Sequence, residues 1–368
     1  MRLLSIVALL AAGILAGTQL GKIAPLVGWY QQEIGFSLVL TGWFTAMIGI
    51  FVALAALPAG WAIERVGTRR SFVIASLVLM VGGVALAFLR SPAAILAARL
   101  MEGLGYLVLV ITIPALLNSI PAPKWRAPAL AVWGGFVPLG YAVGDYLARA
   151  ADAPSAPGRY LLAAILLFGL FAALATLLLA RVPDGSEAPA NGTGAFGGFA
   201  ATMTLPVVIV ALAFGLYVIL SIGFFTFLPA FVERSASSIA LAAGAISLTV
   251  PLGNLLAGLL VRGGARNALL LAALGFAATA LAAWPTFAVS IQATATMSMV
   301  LFAVAGGVIA SALFAAIPAV VPPGGSTAVA IGLVCQAGGI GTVIGPPLAA
   351  QVIDAYSWTG FALFMVAV

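Results

Sequence analysis

A chain of 368 residues that is 64% hydrophobic and 7% charged, with a mean hydropathy of +1.24, carries too much apolar surface for a soluble fold, so composition places it in a bilayer as a polytopic protein. Its net charge of +6 comes largely from basic residues in short loops between apolar stretches, which orient membrane spans and are not a nucleic-acid footprint. The lack of histidine and the single Cys335 exclude histidine-centred catalysis, internal disulfides and histidine or thiolate metal sites, so no metal and no cofactor is expected.

A helix needs about 20 apolar residues to cross a hydrocarbon core of about 30 Å. Spans are predicted near 4–29, 38–63, 70–90, 92–120, 127–149, 159–181, 204–232, 238–261, 267–286, 288–320 and 327–353. The first is similar in length and apolarity to a signal peptide, but it contains Gln19 and Lys22, and further spans follow it. A twelfth begins near Trp358 with 11 residues remaining. That is roughly 17 Å of helix, so the last span is expected to be short or truncated.

The polar, Gly-rich stretch 182–203 divides the chain into an N-terminal bundle of six spans, 1–181, and a C-terminal bundle, 204–368. With the N-terminus inside, the cytoplasmic loops carry Arg2, Arg65, Arg69, Arg70, Lys124, Arg126, Arg181, Arg262 and Arg266; the other side carries Arg90, Arg149, Arg159 and Arg234. The excess of basic residues predicts a cytoplasmic N-terminus in a bacterial-style inner membrane. The halves repeat weakly. Val52, Leu54, Leu57, Ala59 and Gly60 recur at an offset of 198 as Val250, Leu252, Leu255, Ala257 and Gly258. Pro121, Ala127, Gly140, Gly144 and Ala148 recur at an offset of 201 as Pro322, Ala328, Gly341, Gly345 and Ala349.

Between the second and third spans, Gly60-Trp61-Ala62-Ile63-Glu64-Arg65-Val66-Gly67-Thr68-Arg69-Arg70 reads G-x-x-x-[acid]-R-x-G-x-R-R. This resembles the loop signature of the major facilitator superfamily of secondary transporters. The resemblance implies an all-α membrane fold of two pseudo-symmetric six-helix bundles, with a substrate site between them and alternating access as the mechanism. It also makes Gly60, Glu64, Arg65, Gly67, Arg69 and Arg70 a cytoplasmic gating loop, whose acid contacts the N-terminus of the eleventh span. A carboxylate there is favoured by about 0.3–1 kcal/mol. The eleventh span opens with Gly324-Gly325-Ser326-Thr327, a credible cap. In the second half Arg262 stands where the acid would be, so no mirrored acidic latch is expected. A simpler reading pairs Glu64 with Arg65 or Arg69 in solvent.

Four ionisable residues fall within spans: Lys22, Arg99, Glu102 and Asp145. A charge there costs about 2.5–3.5 kcal/mol and marks a functional position by default. Counting depth along each span puts all four in the outer half, at one level, which predicts one mixed-charge cluster. Arg99-Leu100-Met101-Glu102-Gly103 also resembles the family's fourth-span motif R-x-x-x-G, which the family links to proton coupling. Two readings stay open: the charges neutralise one another and hold the bundle together, or one carboxylate exchanges a proton. Glu102, Asp145 and Arg99 are the proton-coupling residues on the second reading, with Glu102 favoured.

Gln19, Lys22, Arg99 and Tyr141 are the expected first substrate contacts, with Trp43 and Trp133 as walls or, more simply, lipid-facing or packing residues. Neutral residues such as Ser221, Thr226, Ser247, Asn254 and Gln336 come from the second half. The Lys22/Arg99 pair points to a small anion; a neutral or amphiphilic efflux substrate is the alternative. The expected partners are the lipid bilayer, a small-molecule substrate and protons, and the protein is expected to act as a monomer. A channel or lipid scramblase fits the composition but does not explain the two-bundle repeat with the Gly60–Arg70 loop, and a presenilin-type enzyme needs two buried aspartates where only Asp145 lies in a span.

Overall fold

The computed structural model describes residues 2–120, 129, 132–181, 200–234, 242–261, 265–288, 292–325 and 327–368. Among these, all regular secondary structure is helical, because a backbone in hydrocarbon has to satisfy its own N–H and C=O groups within each segment. Helices α1 (Arg2–Gly21) and α2 (Val27–Gln32) are joined through a 3-10 turn, Ala24–Leu26. Helices α3 (Leu38–Ala46) and α4 (Ile50–Val66) are joined through a second, Met47–Gly49. Then follow α5 (Thr68–Phe88), α6 (Pro92–Ser119), α7 (Phe136–Ala150) and α8 (Pro157–Leu179). The second half supplies α9 (Leu205–Arg234), α10 (Ala242–Ser247), α11 (Val250–Leu260), α12 (Ala265–Ala288), α13 (Gln292–Val320) and α14 (Thr327–Ala367).

Local chemistry sets several boundaries. Ser37 caps α3, its Oγ accepting from Leu40 N at 3.0 Å. Proline opens α6 and α8, where the first turn has no use for an N–H. Gly67 turns the chain from α4 directly into α5 at φ 93°, a conformation that only glycine adopts without strain. Ser357, at φ 61° and ψ −171°, breaks α14, so a new segment starts at Trp358, as expected from sequence. Nine of the described helical stretches are long and apolar enough to cross a membrane. The predicted eighth span is divided at Leu248–Thr249 into α10 and α11, with Pro251 in the first turn of α11.

Helices α3 and α4 meet α14 most extensively, but most helices up to residue 179 pack on one another, α1 against α6, α7 and α8, and α5 against α6 and α8. Those from 205 onward do likewise, α9 against α14 and α13, and α12 against α13 and α14. One device seats both groups. A Cβ at Gly140 on α7 would enter the backbone of Gly17 and Thr18 on α1. A Cβ at Gly341 on α14 would lie 2.5 Å from the Gly215 carbonyl oxygen on α9. These two glycines are partners in the sequence repeat, and small residues let helix backbones approach closely.

The end of the molecule holding the N-terminus is called the near face here, and the end holding residues 33–37 the far face. The main seams between the groups join α14 to α3, α4 and the Met47–Gly49 turn, α10 to α7, and α9 to the Ala24–Leu26 turn. At the far end Gly42 lies on the backbone of Pro346 and Pro347, where a Cβ would come within 2.7 Å of the Pro346 oxygen. The 182–203 stretch lies mostly outside the described residues, with helix at 200–202.

Candidate functional site

Helices α1 and α3 are each interrupted by a 3-10 turn within a long apolar stretch, and the interruption exposes last-turn carbonyls to side-chain donors. Arg99 on α6 fills that need. Its Nη1 donates to Gln19 O at 2.7 Å and Nη2 to Leu20 O at 3.4 Å, at the end of α1. Its Nε donates to Phe44 O at 3.2 Å and Nη2 to Thr45 O at 3.4 Å, at the end of α3. The negative ends of two helix dipoles thus face one guanidinium. The Phe44 ring lies 5.6 Å from its Cζ and adds a cation–π contact.

The remaining Nη1 contact is to Glu102 Oε2 at 2.8 Å, between i and i+3 of one helix. Glu102 Oε1 accepts from Lys22 Nζ, which also donates to Gln19 Oε1 at 2.9 Å. Gln19 Nε2 in turn donates to Leu15 O at 3.0 Å and to Ala164 O on α8 at 3.2 Å. Gln19, Lys22, Arg99 and Glu102 are each 0% exposed. Two basic side chains thus converge on a single carboxyl group, Glu102.

Two glycines that the sequence reading passed over make the room. A Cβ at Gly82 on α5 would lie 2.9 Å from Glu102 Cγ, and one at Gly83 would lie 3.0 Å from Glu102 Oε1. The adjacent glycines in the third span were the available signal. The carboxylate therefore looks toward α5 and α8, within the first group of helices.

Asp145 is not part of this cluster, which corrects the expectation of four charges together. Depth along a span fixes the level of a residue but not its direction around the helix. On α7, Tyr141 and Asp145 are i and i+4, and both point at the second group of helices. Asp145 Oδ2 accepts from Arg149 Nε at 3.0 Å and from the backbone N–H of Gly244 on α10 at 3.1 Å. Tyr141 Oη and Thr226 Oγ1 on α9 are 3.0 Å apart, and Phe225 lies against the Tyr141 ring at 5.7 Å. A small cleft between the groups is lined by Gly21, Pro25, Tyr141, Asp145, Phe225 and Ser247 among others.

The other expected substrate contacts scatter. The donors of Gln19, Lys22 and Arg99 are spent inside the first group. Gln336 on α14 reaches across the seam, its Nε2 donating to Ala53 O at 3.0 Å. Trp133 stacks on Phe136 at 4.1 Å, over the space left by Gly13, whose Cβ would lie 2.6 Å from the indole. Trp43 is 44% exposed on α3. Asn254 approaches Gly135 across the seam, and its buried Oδ1 has no hydrogen-bond partner.

In the Gly60–Arg70 segment, Gly67 forms the α4–α5 turn, and Arg65 and Arg70 are exposed. The side chain of Glu64, the surroundings of Gly60, and Ser326 at the start of the eleventh span lie outside the described residues. So does residue Arg262.

The sequence profile of the Major Facilitator Superfamily matches residues 9–235, more than half of the chain and all of the helices that carry the triad. The chain belongs to that superfamily. Superfamily members are transporters and not enzymes. The chain is 24% identical over 166 residues to the galactose-proton symporter of Escherichia coli K12, covering 44% of this chain and 36% of the symporter. It is 27% identical over 177 residues to the multidrug transporter mfsC of Aspergillus fumigatus, covering 48% of this chain and 34% of that one. These matches thus span about a third of the length of the curated relatives.

Solved superfamily structures extend the likeness over the whole fold. A bacterial homolog of the human lysosomal transporter Spinster, in an inward-facing and unoccupied conformation, matches with a TM-score of 0.77 at 17% identity, over 96% of this chain and 83% of that one. The human organic anion transporter MFSD10 matches with a TM-score of 0.64 at 19% identity, over 100% of this chain and 96% of that one. At such identities the likeness concerns the fold: an all-α, polytopic membrane protein of the superfamily type.

Proposed function

We propose that this protein is a proton-coupled secondary transporter in which Glu102 takes up and releases the coupling proton, while the solute is held between the two groups of helices. The observation that carries this reading is the enclosed Lys22–Glu102–Arg99 triad. The carboxyl group lies between two basic side chains and is sealed from water, so any change in that enclosure changes its electrostatic surroundings. A proton therefore enters readily only in a conformation that rearranges α1, α3 and α6. Such a difference between states is what couples an ion gradient to alternating access. Similarity to a galactose-proton symporter is in keeping with that coupling.

The surface between the groups favours an uncharged or amphiphilic organic solute. Among the described residues that meet across it, Tyr141, Thr226, Gln336 and Asn254 offer neutral hydrogen-bonding groups beside Phe225, and the one carboxylate, Asp145, is paired with Arg149. A small anion is the second reading, favoured by the excess positive charge of the triad once Glu102 is protonated. The N-terminus is assigned to the cytoplasm by the bias of basic loops, and the far face then lies outside. The likeness to an inward-facing structure supports an inward-facing state here. Glu64 is assigned to the near-face gate, against the start of α14.

Proteoliposomes loaded with a pH-sensitive dye test the proposal. Sugars, neutral amphiphiles and small anions are added outside in turn. Proton entry on adding an uncharged solute, abolished in Glu102→Gln, is the expected result. Proton entry with anions alone, lost in Lys22→Gln, would select the second reading. Solute uptake without proton movement would refute the coupling.

A further inference from the structure

We propose that Asp145 is the latch that holds the far ends of the two helix groups together, with the backbone N–H of Gly244 as its keeper. The inference goes beyond the proton-coupling reading, because it assigns a gating role to a residue outside the triad.

The residue sits where a latch has to be. On α7 the Tyr141–Asp145 face meets the second group at two successive turns, through Thr226 on α9 and through Gly244 on α10. The bond to Gly244 joins segments 99 residues apart. Gly244 lies on α10, and its backbone N–H donates to the carboxylate at 3.1 Å. A carboxylate is the acceptor that suits this position, and bonds of this charge-assisted kind are stronger than neutral ones.

The keeper has to be glycine. A Cβ at position 244 would lie 2.8 Å from Asp145 Oδ2 and 3.3 Å from both Asp145 Cβ and the Tyr146 ring, so any side chain displaces the carboxylate. Arg149 holds the same oxygen, with Nε and Nη2 each at 3.0 Å, and aims it at α10. Its own side chain is 37% exposed, so its contribution is the smaller one. Asp145 itself is 8% exposed, enough for water to replace Gly244 once the seam parts. The latch is thus strong enough to favour closure and weak enough to release.

The test reads the seam without any transport assay, so it stands apart from the proton-coupling reading. In a Cys335→Ser background, Leu228→Cys places a thiol in the inter-group cleft, at a residue now 1% exposed. Its rate of reaction with an impermeant thiol reagent from the far side is measured in proteoliposomes. Asp145→Ala and Gly244→Ala should each accelerate labelling roughly tenfold, the effect of one charge-assisted hydrogen bond. The double variant should be no faster than either single one, because both remove the same bond. Arg149→Ala should change the rate less.

Ala172→Cys, buried in the core of the first group, reports unfolding and should stay unreactive in every background. Equal labelling of Leu228→Cys in the wild type, Asp145→Ala and Gly244→Ala would overturn the proposal. Acceleration accompanied by labelling of Ala172→Cys would overturn it too, since the cause would be a loosened fold.

Discussion

Lys22 at the end of α1 and Glu102 on α6 form an ion pair across 80 residues of sequence, with both side chains wholly buried. Neither is an ornament of the surface, where such pairs contribute little. Here the two charges depend on each other, and Arg99 makes the dependence unequal. Removal of Lys22 leaves Glu102 its bond to Arg99. Removal of Glu102 leaves two cations facing each other in a sealed site.

The stability order follows from that asymmetry. Glu102→Ala should destabilise the protein by about 3–5 kcal/mol, the range for stripping a buried charge of its partner. Lys22→Met, which keeps the volume and length of the side chain, should cost clearly less. The double variant Lys22→Met/Glu102→Gln should recover part of the Glu102→Ala loss, since a single cation then remains among helix-end carbonyls. Thermal unfolding in detergent checks the order; equal losses for Glu102→Ala and Lys22→Met would contradict it.

Arg99→Lys should behave as a severe change even though charge is conserved. The guanidinium bonds to four carbonyls at two helix ends as well as to Glu102, and an ammonium with three donors on a flexible stem cannot reproduce that fork. At least two carbonyls lose a donor, for a loss of about 2–4 kcal/mol at roughly 1–2 kcal/mol each. Unfolding midpoints within error of the wild type would show that the helix-end contacts carry no weight.

Much of this was legible before any coordinates. Apolar runs of about 20 residues located the spans, and counting along them put Lys22, Arg99 and Glu102 at a common depth. Only three-dimensional packing gave their rotation about the helix axes. Asp145 shares their level yet is directed elsewhere: Arg149 and the Gly244 N–H hold its carboxylate, while Tyr141 packs over Gly21 of α1 and reaches Thr226 with its hydroxyl. Two helix breaks supply the acceptors for Arg99: the one at Ala24–Leu26 had a signal in Pro25 that counting spans passed over, whereas the one at Met47–Gly49 lies in apolar sequence where periodicity gives no sign of it. Gly244 was invisible for a related reason: its function resides in a backbone N–H.

Gly82 and Gly83 show how space is reserved for a charge. Gly83→Ala would put a methyl group 3.0 Å from Glu102 Oε1 and into the Ile165 side chain, where overpacking costs about 1–3 kcal/mol. Gly258→Ala on α11 is the control, since nothing lies within 4 Å of the added Cβ. Alanine in an open helical position stabilises by about 0.5–1 kcal/mol. Opposite shifts in the unfolding temperature are expected, and shifts of one sign would mean that backbone propensity outweighs the contact.

Tyr141 and Thr226 make the seam between the helix groups testable from the solute's side. Their hydroxyls share one hydrogen bond in a buried setting, so Tyr141→Phe leaves Thr226 unpaired and Thr226→Val leaves Tyr141 unpaired, each at about 1–3 kcal/mol. The double variant replaces both partners with apolar groups and should cost less than the two single changes added together. Function separates two roles for the pair. If it only closes the seam, the double variant should transport with an unchanged KM and an altered maximal rate. If a hydroxyl also contacts the solute, KM should rise in Tyr141→Phe and stay high in the double variant, because restoring the seam does not restore the lost donor.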